Sequence, residues 1–209
     1  MIRVLLFSLL IGLSTSVTMA GAEPESLSSQ PIPVGITADS LAQQPLLHQE
    51  FGMVRLVLPG GMKRTLDAHA PRFQLWQPGN YWHDIVEYAH YDYTERQAMS
   101  VVLGDFDGNG SPDVVLDGHD GTKALMLAIM SAPDSCWVVQ IGSSSSGDQL
   151  TGAFLIHQPP GQVHSGMLDA SGGSPLVLDN DGFQVVIFEK AAILYRCDDG
   201  RFVGTTIAD

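Results

Sequence analysis

The sequence predicts a mainly β fold, a single domain of antiparallel sheets and hairpins with one short helical element near residues 80–91. Three observations point there. Apolar runs of strand length recur along the chain, as in Met53–Leu58, Ala124–Met130 and Phe183–Phe188, and only one segment has helical spacing. Turn formers separate these runs, among them Pro59-Gly60-Gly61, Pro159-Pro160-Gly161, Asp181-Gly182 and Asp199-Gly200. Hydrophobic residues make up 44% of the chain and charged residues 16%, a balance that excludes global disorder.

The first element is a targeting segment, Met1 to Ala22. Arg3 supplies a short positive region and Val4–Leu13 an apolar run too short to span a bilayer. Ala20-Gly21-Ala22 reads as a small-residue cleavage site. Cleavage near Ala22 leaves about 187 residues, enough for one sizeable core. No cysteine follows the apolar run to carry a lipid, and no later stretch approaches the length of a membrane span. The expectation is an exported chain, periplasmic or secreted, with no membrane span in its mature form. Residues 23–44, rich in Ser, Pro, Gln and Ala, read as a flexible leader, and residues 45–209 as the β-rich domain.

Phe51 to Leu58 alternates as a strand and ends at Pro59-Gly60-Gly61, read as a breaker. Ala70–Trp76 reads as irregular chain. Asn80 is a plausible N-cap for a short helix through Tyr91, with Trp82, Ile85, Val86 and Ala89 near helical spacing. Aromatic residues accumulate here, from Phe73 and Trp76 to Tyr91 and Tyr93. Such a stripe is expected in a core, polar tips outward, rather than as a ligand platform. His83 and His90 lack a placed carboxylate and read as surface histidines rather than metal ligands.

The next pair of strands encloses the most informative loop. Met99, Val101 and Leu103 lead in, Val114 and Leu116 lead out, and Asp105-Phe106-Asp107-Gly108-Asn109-Gly110-Ser111-Pro112-Asp113 lies between. Asp105, Asp107 and Asn109 occupy positions one, three and five, so alternate spacing turns three oxygen-bearing side chains toward one point. Gly110 at position six permits the sharp bend that closes the loop. Asp113 at position nine adds a fourth side-chain oxygen, and the carbonyl of Ser111 a fifth ligand. Hard oxygens at these intervals suit Ca²⁺. The alternative, a metal-free turn in which Asp and Asn bond their own backbone, accounts for an Asp-Gly pair but not for position nine. An EF-hand is excluded, because position twelve is Leu116 rather than Glu and both flanks read as strands.

These residues resemble the FG-GAP or VCBS repeat over about residues 99–118. That resemblance implies a calcium loop on a β-hairpin of the kind carried by integrin-like propellers and many exported bacterial proteins. It does not extend to a closed wheel. A propeller needs at least about four blades of four strands, and the sequence supports about nine or ten. A small or degenerate β-propeller is therefore the alternative to the single antiparallel domain.

Beyond the loop, Ala124–Met130 and Cys136–Ile141 read as paired strands, Gly142–Gly147 as a serine-rich loop, Ala153–His157 as a strand and His164–Ser174 as a loop. A meander follows through Leu176–Leu178, Phe183–Phe188, Ala191–Tyr195 and Phe202–Ile207. Asp179-Asn180-Asp181-Gly182 is a turn and not a second metal loop, since Phe183 and Ile187 fall where ligands would be required. Cys136 and Cys197 are either bridged or two buried thiols.

The net charge of −13 argues against nucleic acid and anionic membrane surfaces as partners. The functional expectation is an exported calcium-binding β module, non-catalytic, serving recognition or adhesion of a protein or glycan ligand, or an envelope structure. The alternative is an envelope hydrolase in which calcium is structural. Its candidate groups, Asp67, His69, Asp84, His119 and Asp120, form no motif, and Ser146-Gly147-Asp148 lacks a nucleophile elbow.

Overall fold

Alternation along the two most apolar strands dictates the architecture. The structure, a computed structural model, describes residues 35–50, 53–89, 94–145, 151–163 and 176–208, all within the compact unit Pro33–Asp209. The expected signal segment, the first part of the leader and the loop at 164–174 lie outside the described residues, as do His90, Tyr91 and Tyr93.

A central sheet runs in the order β5 (Gln97–Ala98), β6 (Val101–Gly104), β7 (Asp113–His119), β8 (Ala124–Ala132), β9 (Ser135–Ser144). In addition, β4 (Gln74–Leu75) pairs with the end of β7. Successive side chains of a strand point to opposite faces, and here both faces are covered. Val101, Val114, Leu116, Leu125, Leu127 and Ile129 enter one buried cluster. Val102, Val115, Ala128 and Met130 enter another on the reverse side. Six of the seven residues of β7 are consequently buried.

The first cluster is closed by a sheet of β1 (Gly35–Asp39), β3 (Met53–Pro59) and β2 (Leu46–Glu50), in that spatial order, and by α1 (Gly60–His69). Val54, Leu56 and Leu58 alternate inward from β3, and Met62 and Leu66 come from one face of α1. The second cluster is closed by a sheet ordered β10 (Ala153–Gln158), β13 (Gly182–Ile187), β14 (Ala191–Asp198), β15 (Arg201–Ala208). Beyond it, α2 (His83–Ala89) contributes Ile85 and Val86 to a cluster with Phe154. The pair β11 (Gly161–Val163) and β12 (Leu176–Leu178) packs Val163 and Leu178 against Leu194 and Ile207. The fold is thus mainly β, built from largely antiparallel sheets stacked face to face with few short helices, and among the described residues no closed barrel forms.

Several sequence expectations are corrected. Gly35–Asp39, assigned to a flexible leader, forms β1 and pairs in parallel with Arg55–Pro59, because Ile36 has an apolar cluster to join. Pro59-Gly60-Gly61 does not break the chain but starts α1, with Pro59 at the N-cap. Proline is tolerated at a helix start, where N–H groups lack helical partners anyway. Met62 and Leu66, four apart, give that helix its buried face, and Lys63 bonds Asp67 at 2.6 Å on the outside. Asn80 does not cap α2. It closes the 3₁₀ turn Pro78–Asn80 by accepting the Gln77 N–H at 2.8 Å, and α2 begins three residues later. Gly142–Ser144 continue β9 instead of opening the serine-rich loop.

Other expectations hold wholly or in part. Of the aromatic stripe, Trp76 and Tyr81 are core residues, whereas Trp82 and Tyr88 are exposed. Asp199 and Gly200 both take positive φ in the two-residue turn between β14 and β15, the twist-matched hairpin geometry. The cysteines meet neither alternative in full: both are free and only half-buried, Cys136 packing on one side of the central sheet and Cys197 on the other. Among the described residues no helix is long and apolar enough to cross a membrane.

Candidate metal centre

The loop between β6 and β7 is held at both ends by the core and at its middle by its own carboxylates. Phe106 is its anchor: fully buried, it meets Phe183 and Phe202 edge to face at 5.9 Å. That places Asp105 and Asp107 on either side of a fixed point, and Gly108 and Gly110 take φ of +73° and +83° so that the chain can fold back. Asp113 opens β7 at the far end, paired with Gly104.

Asp105, Asp107 and Asp113 come together, each offering one oxygen within 4.8 Å of the others. Oxygens bound to one Ca²⁺ at about 2.3–2.6 Å lie at most about 5 Å apart, so this donor set fits a calcium-sized ion. Asp113 is the most constrained of the three. Its Oδ1 accepts the Ser131 N–H at 2.7 Å and its Oδ2 the Phe106 N–H at 3.0 Å, and the residue is completely buried. Burial pushes its carboxyl up to about 7, the charges of Asp107 and Asp105 push the same way, and the two backbone hydrogen bonds oppose them. Asp105 accepts the N–H groups of Asn109 at 3.0 Å and Gly110 at 2.9 Å, which curls the loop around it.

Asn109 and Ser111 stand differently. The Asn109 amide nitrogen donates to Asp107 Oδ2 at 3.0 Å and to the Ser131 carbonyl at 2.6 Å, while its Oδ1 accepts the Ser111 N–H at 2.7 Å. Acceptors on the nitrogen side and a donor on the oxygen side fix that orientation. Asn109 here fastens the loop to the end of β8, and its oxygen must turn to reach an ion. Ser111, half-buried, serves through its own N–H in the same turn.

Sequence reasoning missed the second layer. The turn 179–181 packs onto the loop: Asp181 Oδ2 accepts the Asp105 N–H at 2.8 Å and the Asp181 N–H donates to the Asp105 carbonyl at 3.2 Å. The other carboxylate oxygen of Asp181 lies 2.9 Å from His157 Nε2, and Arg96 approaches to 3.8 Å. A side chain at Gly108 would collide with Asn180, its Cβ only 2.4 Å from Oδ1, so glycine is required there for packing as well as for φ. The closest signal in the sequence is the run Asp179-Asn180-Asp181-Gly182, and nothing local says what it touches.

The groups suggested for a hydrolase do not converge. Asp67 is bound by Lys63, Asp84 is exposed beside His83, and His119 stacks on Trp76 at 4.4 Å. His69 and Asp120 do share the wall of a 240 Å³ cleft. The Asp120 carboxylate there is engaged by the Thr122 hydroxyl and the Thr122 and Lys123 N–H groups, which hold it down at about 2. Comparison with protein families, curated proteins and solved structures finds no match to this chain.

Proposed function

We propose that this chain is an exported β module that binds one Ca²⁺ through Asp105, Asp107 and Asp113, joined by the Ser111 carbonyl and, after rotation of its amide, Asn109. The observation that carries the reading is the convergence of three carboxylates at the mouth of one hairpin, one of them wholly buried. Three like charges so close repel one another, and a divalent cation removes that repulsion. The resemblance to FG-GAP or VCBS loops rests on the same residues, and export on the N-terminal sequence. The ion's role is structural and the module non-catalytic: the carboxylate loop is fastened to two sheets, through Asp113 at the start of β7 and through Asp181 at the start of β13. Isothermal titration of chelator-treated protein tests this. One site per chain with Kd of about 10⁻⁴–10⁻³ M is expected, as for extracellular calcium modules. No heat of binding at millimolar Ca²⁺ rejects it.

A further inference from the structure

Asn109 precedes Gly110 at the exposed tip of the loop between β6 and β7. The other asparagines, Asn80 and Asn180, precede Tyr81 and Asp181, whose side chains crowd the next nitrogen. Asparagine before glycine is chemically labile. The glycine nitrogen can close a ring on the side-chain amide, and a backbone without Cβ bends to it freely. Here the groups that help such a closure stand around it. The Gly110 N–H, on the attacking nitrogen, donates to Asp105 Oδ2 at 2.9 Å. The Ser111 N–H donates to Asn109 Oδ1 at 2.7 Å and so polarises the carbonyl under attack. The departing Nδ2 donates to Asp107 Oδ2 at 3.0 Å.

We propose that Asn109 is a self-modification site, converted by the loop around it to aspartate or isoaspartate through a cyclic imide. The Gly110 nitrogen bonds to Asn109 Cγ while its proton passes to the Asp105 carboxylate. The Ser111 N–H takes up the charge that forms on Oδ1. The Cγ–Nδ2 bond then breaks, and the nitrogen leaves as ammonia with the proton that Asp105 held. Water adds to the imide: breaking the new bond at Cγ leaves aspartate, and breaking the original peptide bond leaves isoaspartate in a lengthened main chain. Aspartate at loop position five presents a charged oxygen without the amide's rotation, and ligand charge tightens Ca²⁺ sites. It gives up the bond to the Ser131 carbonyl, 2.6 Å long, that fastens the loop to β8. The reaction needs no ion. Its arrest by Ca²⁺, which would engage Asp105 and Asn109 Oδ1, rests on the binding proposed for this loop.

Peptide mapping by mass spectrometry of the whole mature chain, incubated with chelator in mildly alkaline buffer, tests the proposal. Conversion is expected at Asn109 ahead of Asn80 and Asn180, with aspartate and isoaspartate both formed. It should run at least about tenfold faster in the folded chain than in the same chain unfolded in guanidinium chloride, because the fold holds the reacting groups together. Asp105→Asn, checked for folding by thermal melts, should slow it about tenfold or more. Ca²⁺ at about 10 mM, saturating for the expected Kd, should arrest it. No conversion at Asn109, conversion no faster folded than unfolded, or an undiminished rate in folded Asp105→Asn overturns the proposal. The comparison of folded with unfolded wild type decides it without any variant. Conversion that is fast in the folded chain but indifferent to Ca²⁺ upholds the modification and counts against the ion instead.

Discussion

Asp107 and Asp117 are both aspartates, and their surroundings give them opposite tasks. Asp107 stands half-exposed with Asp105 and Asp113, accepting from the Asn109 N–H and side-chain amide, where a cation would neutralise its charge. Asp107→Ala should weaken Ca²⁺ binding at least about tenfold, read by isothermal titration, because one charged ligand of a small set is lost. Asp117 is buried in β7 with no cationic partner among the described residues; it accepts from the Gly118 N–H and the Trp76 side chain. Burial raises its carboxyl to about 7 and these hydrogen bonds only partly oppose the shift. A folded-state value above the unfolded one means that the folded chain holds the proton longer. The contribution to stability is full below about 4 and is lost as pH rises through about 7. Asp117→Asn keeps an acceptor and removes the titration. The stability difference between wild type and this variant, from urea unfolding with chelator present, should move against wild type from pH 4 to 7 and level off above. A difference flat across that window contradicts the assignment.

At the scale of elements, what was legible in the sequence was local. The loop between β6 and β7 is written in nine consecutive residues, because ligand spacing and the bend at Gly110 need no distant partner. The hairpin at Asp199-Gly200 is legible for the same reason. α1 was not, since Pro59-Gly60-Gly61 looks like an interruption until Met62 and Leu66 find the cluster beneath them. Leu66→Ala should therefore cost about 2–5 kcal/mol in denaturant unfolding, as for a core leucine rather than a loop residue. The grip of the turn 179–181 on the loop was also illegible, because Asp105 and Asp181 are 76 positions apart. Asp181→Ala leaves the Asp105 N–H and His157 without this acceptor. A loss of about 1–3 kcal/mol is expected even in chelator, with weaker Ca²⁺ binding besides. Unchanged stability and unchanged affinity together would reduce that contact to incidental packing.

Across the whole molecule, sheets stack face to face, and the loop sits where the central sheet meets the one built from β10 and β13–β15. Phe106 reaches into the cluster between them, and Asp181 ties the loop to the start of β13. An ion held by Asp105, Asp107 and Asp113, as proposed, would thus reinforce the junction of two sheets rather than a loose end, and its binding should appear as stability of the entire domain. Number and pairing of strands were only partly readable beforehand, since two-residue strands such as β4 and β5 carry no periodicity and exist through their neighbours.

The most direct test is a melting series of chelator-stripped wild type and Asp107→Ala across Ca²⁺ concentrations. At about a hundredfold excess over Kd, binding to the folded state contributes roughly 2.7 kcal/mol. For a domain of this size that is a rise in Tm of about 5–11 °C. Wild type should show that rise and Asp107→Ala about half of it or less at the same concentrations, since tenfold weaker binding leaves roughly 1.4 kcal/mol. A wild-type Tm that does not move with Ca²⁺, or an equal rise in the variant, contradicts a structural ion at this loop.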